Sequence, residues 1–293
     1  MKYRLIILAT VFSSLLISCQ KDIPGDGSNT TVTAKTILNV AYGNGAAQVM
    51  DIYLPASRST LTTKVIILIH GGGWTEGDKN DPLFAPFVDS LKKRLPDYAL
   101  FNINYRLSAP TNNNFPTQEL DIKAATEFIY AKRNEYGISD KFVMAGASAG
   151  AHLAMLQAYK NNGTVKPRAV ISFFGPTNLL DMYNNPVNNN PFIPVGLALA
   201  IGKTPAQDPL IYTNSSPINF ISSNTAMPTI LLHGGLDPLV NKDQSLAVKT
   251  KLTAAGIASQ YVLYPTAGHG DWDAATYTDA FNKIQAFLAL HVL

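Results

Sequence analysis

Six short apolar runs recur along the chain, at residues 65–69, 99–103, 142–145, 169–173, 229–232 and 261–264. A strand buried on both faces reads as a continuous apolar run, so each predicts an interior strand. Between them lie stretches with apolar residues at three- and four-residue spacing, at 82–95, 116–136, 149–160, 242–255 and 276–290. That spacing is the mark of a helix with one buried face, and Gly137 and Gly256 stand where helix stops are expected. Strand and helix alternating in this way predict parallel strands joined by crossover helices, which is the α/β class. An earlier pair, 36–41 and 49–54, alternates polar and apolar residues around Gly43-Asn44-Gly45 and predicts an antiparallel hairpin at one sheet edge.

The chain has 293 residues, of which 46% are hydrophobic, enough to bury one large core. A single domain over 35–293 is expected. One stretch breaks the rhythm: 181–225 is rich in Asn, Pro and Ser around an apolar island at 192–201. A structureless loop of that length is improbable, and the stretch is read as a small cap or lid over the carboxyl edge of the sheet.

The first eighteen residues combine a basic start (Lys2, Arg4), an apolar stretch over 5–17 and a small or polar end before Cys19, the outline of an export signal. Leu16-Ile17-Ser18-Cys19 resembles the bacterial lipobox, in which cleavage precedes a cysteine that is then acylated. That resemblance implies a lipoprotein signal at 1–18, a lipid on Cys19, a polar tether over 19–34, and an exported protein anchored to a membrane. An ordinary cleaved signal is the alternative. Net charge is +3, and removal of Lys2 and Arg4 leaves about +1, so nothing points to a nucleic-acid partner. Cys19 is the only cysteine, which excludes an internal disulfide and a thiolate metal site.

Gly146-Ala147-Ser148-Ala149-Gly150 falls between an expected strand and an expected helix. A serine on such a sharp turn has its hydroxyl exposed at the strand's carboxyl end, the placement a nucleophile needs. N–H groups of the first helical turn, beginning with Ala149, point where an oxyanion forms. His70-Gly71-Gly72-Gly73-Trp74 follows the strand at 65–69 and offers Gly72 and Gly73 as further donors, since glycine lets a backbone amide approach a ligand closely. A serine needs a base. His269 lies in a glycine-flanked loop after the last expected strand and before the last helix, where the base belongs in the order serine, acid, histidine. Packing or a backbone hydrogen bond is expected of His70, His152, His233 and His291. Asp237, in Gly234-Gly235-Leu236-Asp237-Pro238, falls after a strand between nucleophile and base and is the expected acid. Asp208, Asp243, Asp271 and Asp273 are alternatives that read better as surface or capping residues. No His-Glu-x-x-His occurs, and neither metal nor cofactor is expected.

With these residues placed, the chain resembles bacterial α/β-hydrolase esterases in which a His-Gly-Gly-Gly-Trp loop continues into a Gly-Asp pair, here Gly77-Asp78. That branch includes carboxylesterases and the acetyl-xylan and feruloyl esterases. The resemblance runs from 49–55 through Asn104-Tyr105-Arg106-Leu107 and 146–154 to His269. It implies a mostly parallel sheet flanked by helices, an acyl-enzyme mechanism without a cofactor, and a small-molecule or glycan ester as substrate. Trp74 is read either as pocket lining or as core. Two rivals remain at this level. A serine exopeptidase of the prolyl-oligopeptidase type uses the same chemistry but usually carries a large extra domain upstream, and a surface-binding protein can keep the fold without the chemistry.

Overall fold

The computed structural model describes residues 32–293. The expected signal at 1–18, Cys19 and all but the end of the tether lie outside the described residues. Eight strands form one sheet: β1 (Lys35–Ala41), β2 (Val49–Leu54), β3 (Lys64–Ile69), β4 (Tyr98–Ile103), β5 (Phe142–Ala147), β6 (Ala169–Phe173), β7 (Thr229–Gly234) and β8 (Ser259–Tyr264). Their order across the sheet is β1-β2-β4-β3-β5-β6-β7-β8. β1 and β2 pair antiparallel, β2 runs antiparallel to β4, and every later neighbour is parallel. All six apolar runs are strands within two residues of their expected bounds. Every residue of β4, β5, β6 and β7 is buried, because helices cover both faces.

The helices divide between those faces. α1 (Ala85–Arg94) and α9 (Ala274–His291) cover one, packing Phe87, Leu91, Phe281 and Ile284 on Ile66, Leu68 and Val143. α2 (Thr117–Ala131) and α4 (Ala149–Tyr159) cover the other, with Ile122, Leu153 and Leu156 on Ile67, Ile69 and Met144. Each fully buried Ile, Leu or Phe side chain is worth about 1.5–3 kcal/mol, so both layers contribute to holding the sheet between them. All residues of α4 are buried, and its Ala- and Gly-rich sequence is what lets it lie close to the strands. The helix expected at 116–136 is broken at Lys132 into α2 and the short α3 (Arg133–Tyr136), which Gly137 ends in left-handed conformation (φ 65°).

The stretch 181–225 is largely helical. α5 (Leu179–Asn184) is capped by Asn178, whose side chain accepts from the Asp181 N–H, and α7 (Pro209–Asn214) is capped in the same way by Asp208. Between them the apolar island forms α6 (Phe192–Ile201). Ile193, Leu197, Ile201 and Tyr212 join the core on the α2 and α4 side. Lys160 at the end of α4 fixes the segment by donating to the Asn214 carbonyl (2.8 Å) while pairing with the buried Glu119 of α2 (2.8 Å). α8 (Asp243–Ala254) precedes β8 and completes the set.

Candidate active site

β5 delivers Ser148 into α4 through a backbone that residues with a side chain avoid, φ 53° and ψ −121°. Strain of this kind is of order 1–3 kcal/mol and persists only where the surroundings fix it. The Ser148 N–H donates to the Phe173 carbonyl on β6 (2.9 Å), and its own carbonyl starts the helix by accepting from His152 N–H (3.1 Å). The turn is tight enough to dictate both flanking glycines. A Cβ on Gly146 would sit 2.4 Å from the Gly150 carbonyl carbon, and one on Gly150 would sit 2.1 Å from the Ile69 oxygen.

Three residues far apart in sequence meet here. His269 Nε2 lies 2.9 Å from Ser148 Oγ, and His269 Nδ1 lies 2.7 Å from Asp237 Oδ2. An ionised carboxylate only accepts, so Nδ1 carries the proton and donates it, which leaves Nε2 as the acceptor for the serine O–H. The Asp237 carboxylate is buried, and its Oδ1 accepts from the N–H groups of Leu239 and Val240 (both 2.8 Å). Burial pushes its pKa up, but hydrogen bonds from His233 and His269, the electrostatic attraction of the neighbouring imidazole and the Val240 N–H outweigh burial and hold it well below the usual carboxylate range. Asp237 is therefore ionised at neutral pH.

His233, expected only to pack or bond backbone, is fully buried and supports this carboxylate. Its Nε2–H donates to the Val240 carbonyl (2.9 Å) and lies 3.4 Å from Asp237 Oδ2, while Nδ1 accepts from the Ser245 hydroxyl (2.7 Å). Phe174 packs on the His269 ring at a centroid distance of 4.6 Å. Nothing in the sequence marks Ser245 or Phe174 as part of a site, because neither lies in a motif.

The glycine loop runs beside the serine. A Cβ on Gly71 would lie 3.3 Å from Ser148 Cβ, and a Cβ on Gly72 (φ 102°) would strike the Glu76 carbonyl oxygen at 2.1 Å. The N–H groups of Thr75 and Glu76 both donate to the Gly72 carbonyl, closing the loop on itself. Among the described residues, no backbone carbonyl accepts from the N–H of Gly72, Gly73 or Ala149. The Gly-Asp-Lys continuation anchors the loop in the interior. Lys79 Nζ donates to Asp51 Oδ2 on β2 (2.9 Å) with both side chains buried, and its N–H and carbonyl bond Asn104 and Asn102. His70 stacks on Tyr105 (centroids 4.4 Å apart), and burial lowers its pKa, so the ring is neutral.

Ser148 and His269 open into a cavity of about 1050 Å³. Its wall runs from the glycine loop along α1 to the start of α9, with Phe84, Phe87, Trp272 and Tyr277 as aromatic lining and Asp78, Asp81 and Arg94 as charged groups. No residue of 181–225 lines it. The segment expected as a lid touches instead the back of the site, through α4 and the loop that follows β4.

The BD-FAE family model matches residues 50–252, more than half of the chain. The chain belongs to the BD-FAE family. The matched stretch of this BD-FAE chain includes the glycine loop, Ser148 and Asp237 but stops before His269, whose place rests on the hydrogen bonds above. Its similarity extends to two esterases of Mycobacterium tuberculosis. LipC is 25% identical over 244 residues, covering 79% of the chain and 59% of LipC. LipQ is 27% identical over 252 residues, covering 81% of the chain and 58% of LipQ. The BD-FAE chain thus spans a little under three fifths of the length of these curated relatives. Among solved structures it resembles a truncated carbohydrate esterase from gut microbiota, with a TM-score of 0.76 and 25% identity, covering 89% of this chain and 97% of the other. With the strand order above, that gives the BD-FAE chain the α/β-hydrolase fold.

Proposed function

We propose that the chain is a serine hydrolase that cleaves carboxylic esters through an acyl-enzyme. The observation that carries this reading is the unbroken hydrogen-bond line from Asp237 through His269 to Ser148. His269 Nε2 takes the Ser148 proton as Oγ attacks the ester carbonyl carbon. The oxyanion that forms is held by N–H groups of Gly72, Gly73 and Ala149, each such donor being worth about 3–4 kcal/mol to the transition state. The intermediate collapses by breaking the carbon–oxygen bond to the alcohol, which leaves with the proton from His269. Water then gives a proton to His269 and attacks the acyl carbon, Ser148 regains its proton, and the acid departs. Asp237 holds the imidazole tautomer throughout and stabilises the charged ring.

The substrate we propose is an acetyl or feruloyl ester on a polysaccharide. The likeness to a carbohydrate esterase and a cavity large enough for an aromatic acyl group or a sugar support it. We also propose that Cys19 carries a lipid and anchors an exported protein, on the strength of the Leu16-Ile17-Ser18-Cys19 sequence. The test of the activity is release of acetate from acetylated xylan and of ferulate from a feruloylated sugar, with His269→Ala as control. Turnover of either ester that falls by at least about 10³-fold in the variant supports the reading. Inertness toward both, and toward a simple aryl acetate, contradicts it.

A further inference from the structure

Gly72 and Gly73 adopt positive φ at no steric cost, but Trp74 follows them at φ 64°, a conformation that a residue with a Cβ keeps only where its neighbours fix it. Its neighbours are specific. The Trp74 indole Nε1–H donates to His152 Nδ1 at 3.3 Å. The indole meets the His152 ring edge-on at 5.1 Å and the Phe115 ring at 5.8 Å between centroids. The Trp74 carbonyl accepts from the Ser108 N–H at 2.8 Å.

Each support continues to the same place. His152 stands one turn along α4 from Ser148, is fully buried, and donates from Nε2 to the Ser215 carbonyl at 2.6 Å. A carbonyl cannot donate, so Nε2 carries the proton and Nδ1 is left free to accept from the indole. Burial is the main cause that lowers the His152 pKa to about 4, against the opposing pull of the Ser215 carbonyl, and the neutral ring has both nitrogens engaged. Ser108 Oγ donates to the Ala200 carbonyl at 2.9 Å, and Phe115 N–H donates to the same carbonyl at 3.2 Å. Ser215 and Ala200 both belong to 181–225. That stretch lines none of the cavity, yet its backbone terminates both lines of support for Trp74.

We propose that Trp74 and His152 are positioning residues that hold the Gly72–Gly73 amides against the developing oxyanion, and that 181–225 acts as their brace rather than as a cover over the substrate. The proposal rests on the reading of Ser148 as nucleophile. A misplaced donor weakens transition-state binding more than ground-state binding, so the effect belongs in kcat and not in KM.

The test uses the full chain and an aryl acetate. Trp74→Phe keeps an aromatic ring and removes the indole N–H. Its kcat is expected to fall roughly tenfold with KM within about twofold, a fraction of the roughly 10²–10³-fold that follows loss of a whole donor. His152→Gln places its amide where Nε2 stood, keeping the Ser215 bond and losing the indole bond; His152→Asn does the reverse. His152→Gln is expected to match Trp74→Phe in kcat, His152→Asn to lie closer to wild type, and the double variant Trp74→Phe/His152→Gln to be no slower than either single. The chain has two tryptophans, so two indole N–H signals appear by NMR, and that of Trp74 is expected to move in His152→Gln and stay in His152→Asn. Should the His152 variants fail to fold, Trp74→Phe decides alone. Wild-type kcat in Trp74→Phe, or effects of Trp74→Phe and His152→Gln that multiply, overturn the proposal while a fluorophosphonate label on wild-type Ser148 leaves the nucleophile standing. A wild type that takes no label at Ser148 overturns both.

Discussion

Asp237 is the residue whose surroundings say most about its task. Two backbone N–H groups and two imidazoles converge on one buried carboxylate, and together they keep it charged where burial alone would neutralise it. Asp237→Asn keeps the shape but can donate to His269 Nδ1, which moves the imidazole proton to Nε2 and removes the acceptor for Ser148. We predict a fall in kcat of about 10⁴-fold on an aryl acetate with the fold retained; a loss under about tenfold contradicts the role given to Asp237. The same depressed pKa has a consequence for stability. A carboxyl whose folded pKa lies below its unfolded value of about 3.9 stabilises the fold above that pH and loses the contribution as pH falls toward the folded value. The difference in melting temperature between wild type and Asp237→Asn is therefore predicted to narrow as pH is lowered from about 7 through the carboxylate range, and a gap that widens contradicts it. Ser148, Asp237 and His269 are legible in the sequence because glycine-flanked motifs at strand ends mark them. His233 beside Asp237 and the Trp74–His152 hydrogen bond depend on contacts between segments as much as 78 residues apart, and no local pattern encodes a contact of that kind.

At the scale of elements, the strands were readable because burial on both faces leaves an unbroken apolar run. The segment 181–225 was not. α5 and α7 are six residues each, too short to show a period, and α6 is apolar on every side, so it has no polar face from which a helix can be read. Lys79 and Asp51 are a second feature with no signature, a buried ion pair joining the glycine loop to β2. Removing one partner strands the other charge in the interior, at a cost of about 3–5 kcal/mol. Lys79→Met is predicted to lose that much in denaturant unfolding, and Asp51→Asn/Lys79→Met to recover part of it. A single variant within about 1 kcal/mol of wild type contradicts the account of this pair.

For the whole molecule, the parallel order β3-β5-β6-β7-β8 brings the carboxyl ends of β3, β5, β7 and β8 to one edge. The four segments that leave that edge carry the glycine loop, Ser148, Asp237 and His269, and topology alone makes neighbours of residues up to 121 positions apart. Residues 181–225 stand behind this edge, and the cavity opens in front of it on the α1 and α9 side. The proposed lipid on Cys19 belongs to this scale as well. The wild-type chain expressed with residues 1–18 in a bacterium is predicted to partition into detergent and Cys19→Ala into the aqueous phase, and an aqueous wild type contradicts the anchor. The central claim is an activated serine at position 148. Intact mass after exposure to a fluorophosphonate probe tests it most directly: one adduct on wild type and none on Ser148→Ala is the predicted result, whereas no adduct on wild type, or an adduct that persists in Ser148→Ala, contradicts it.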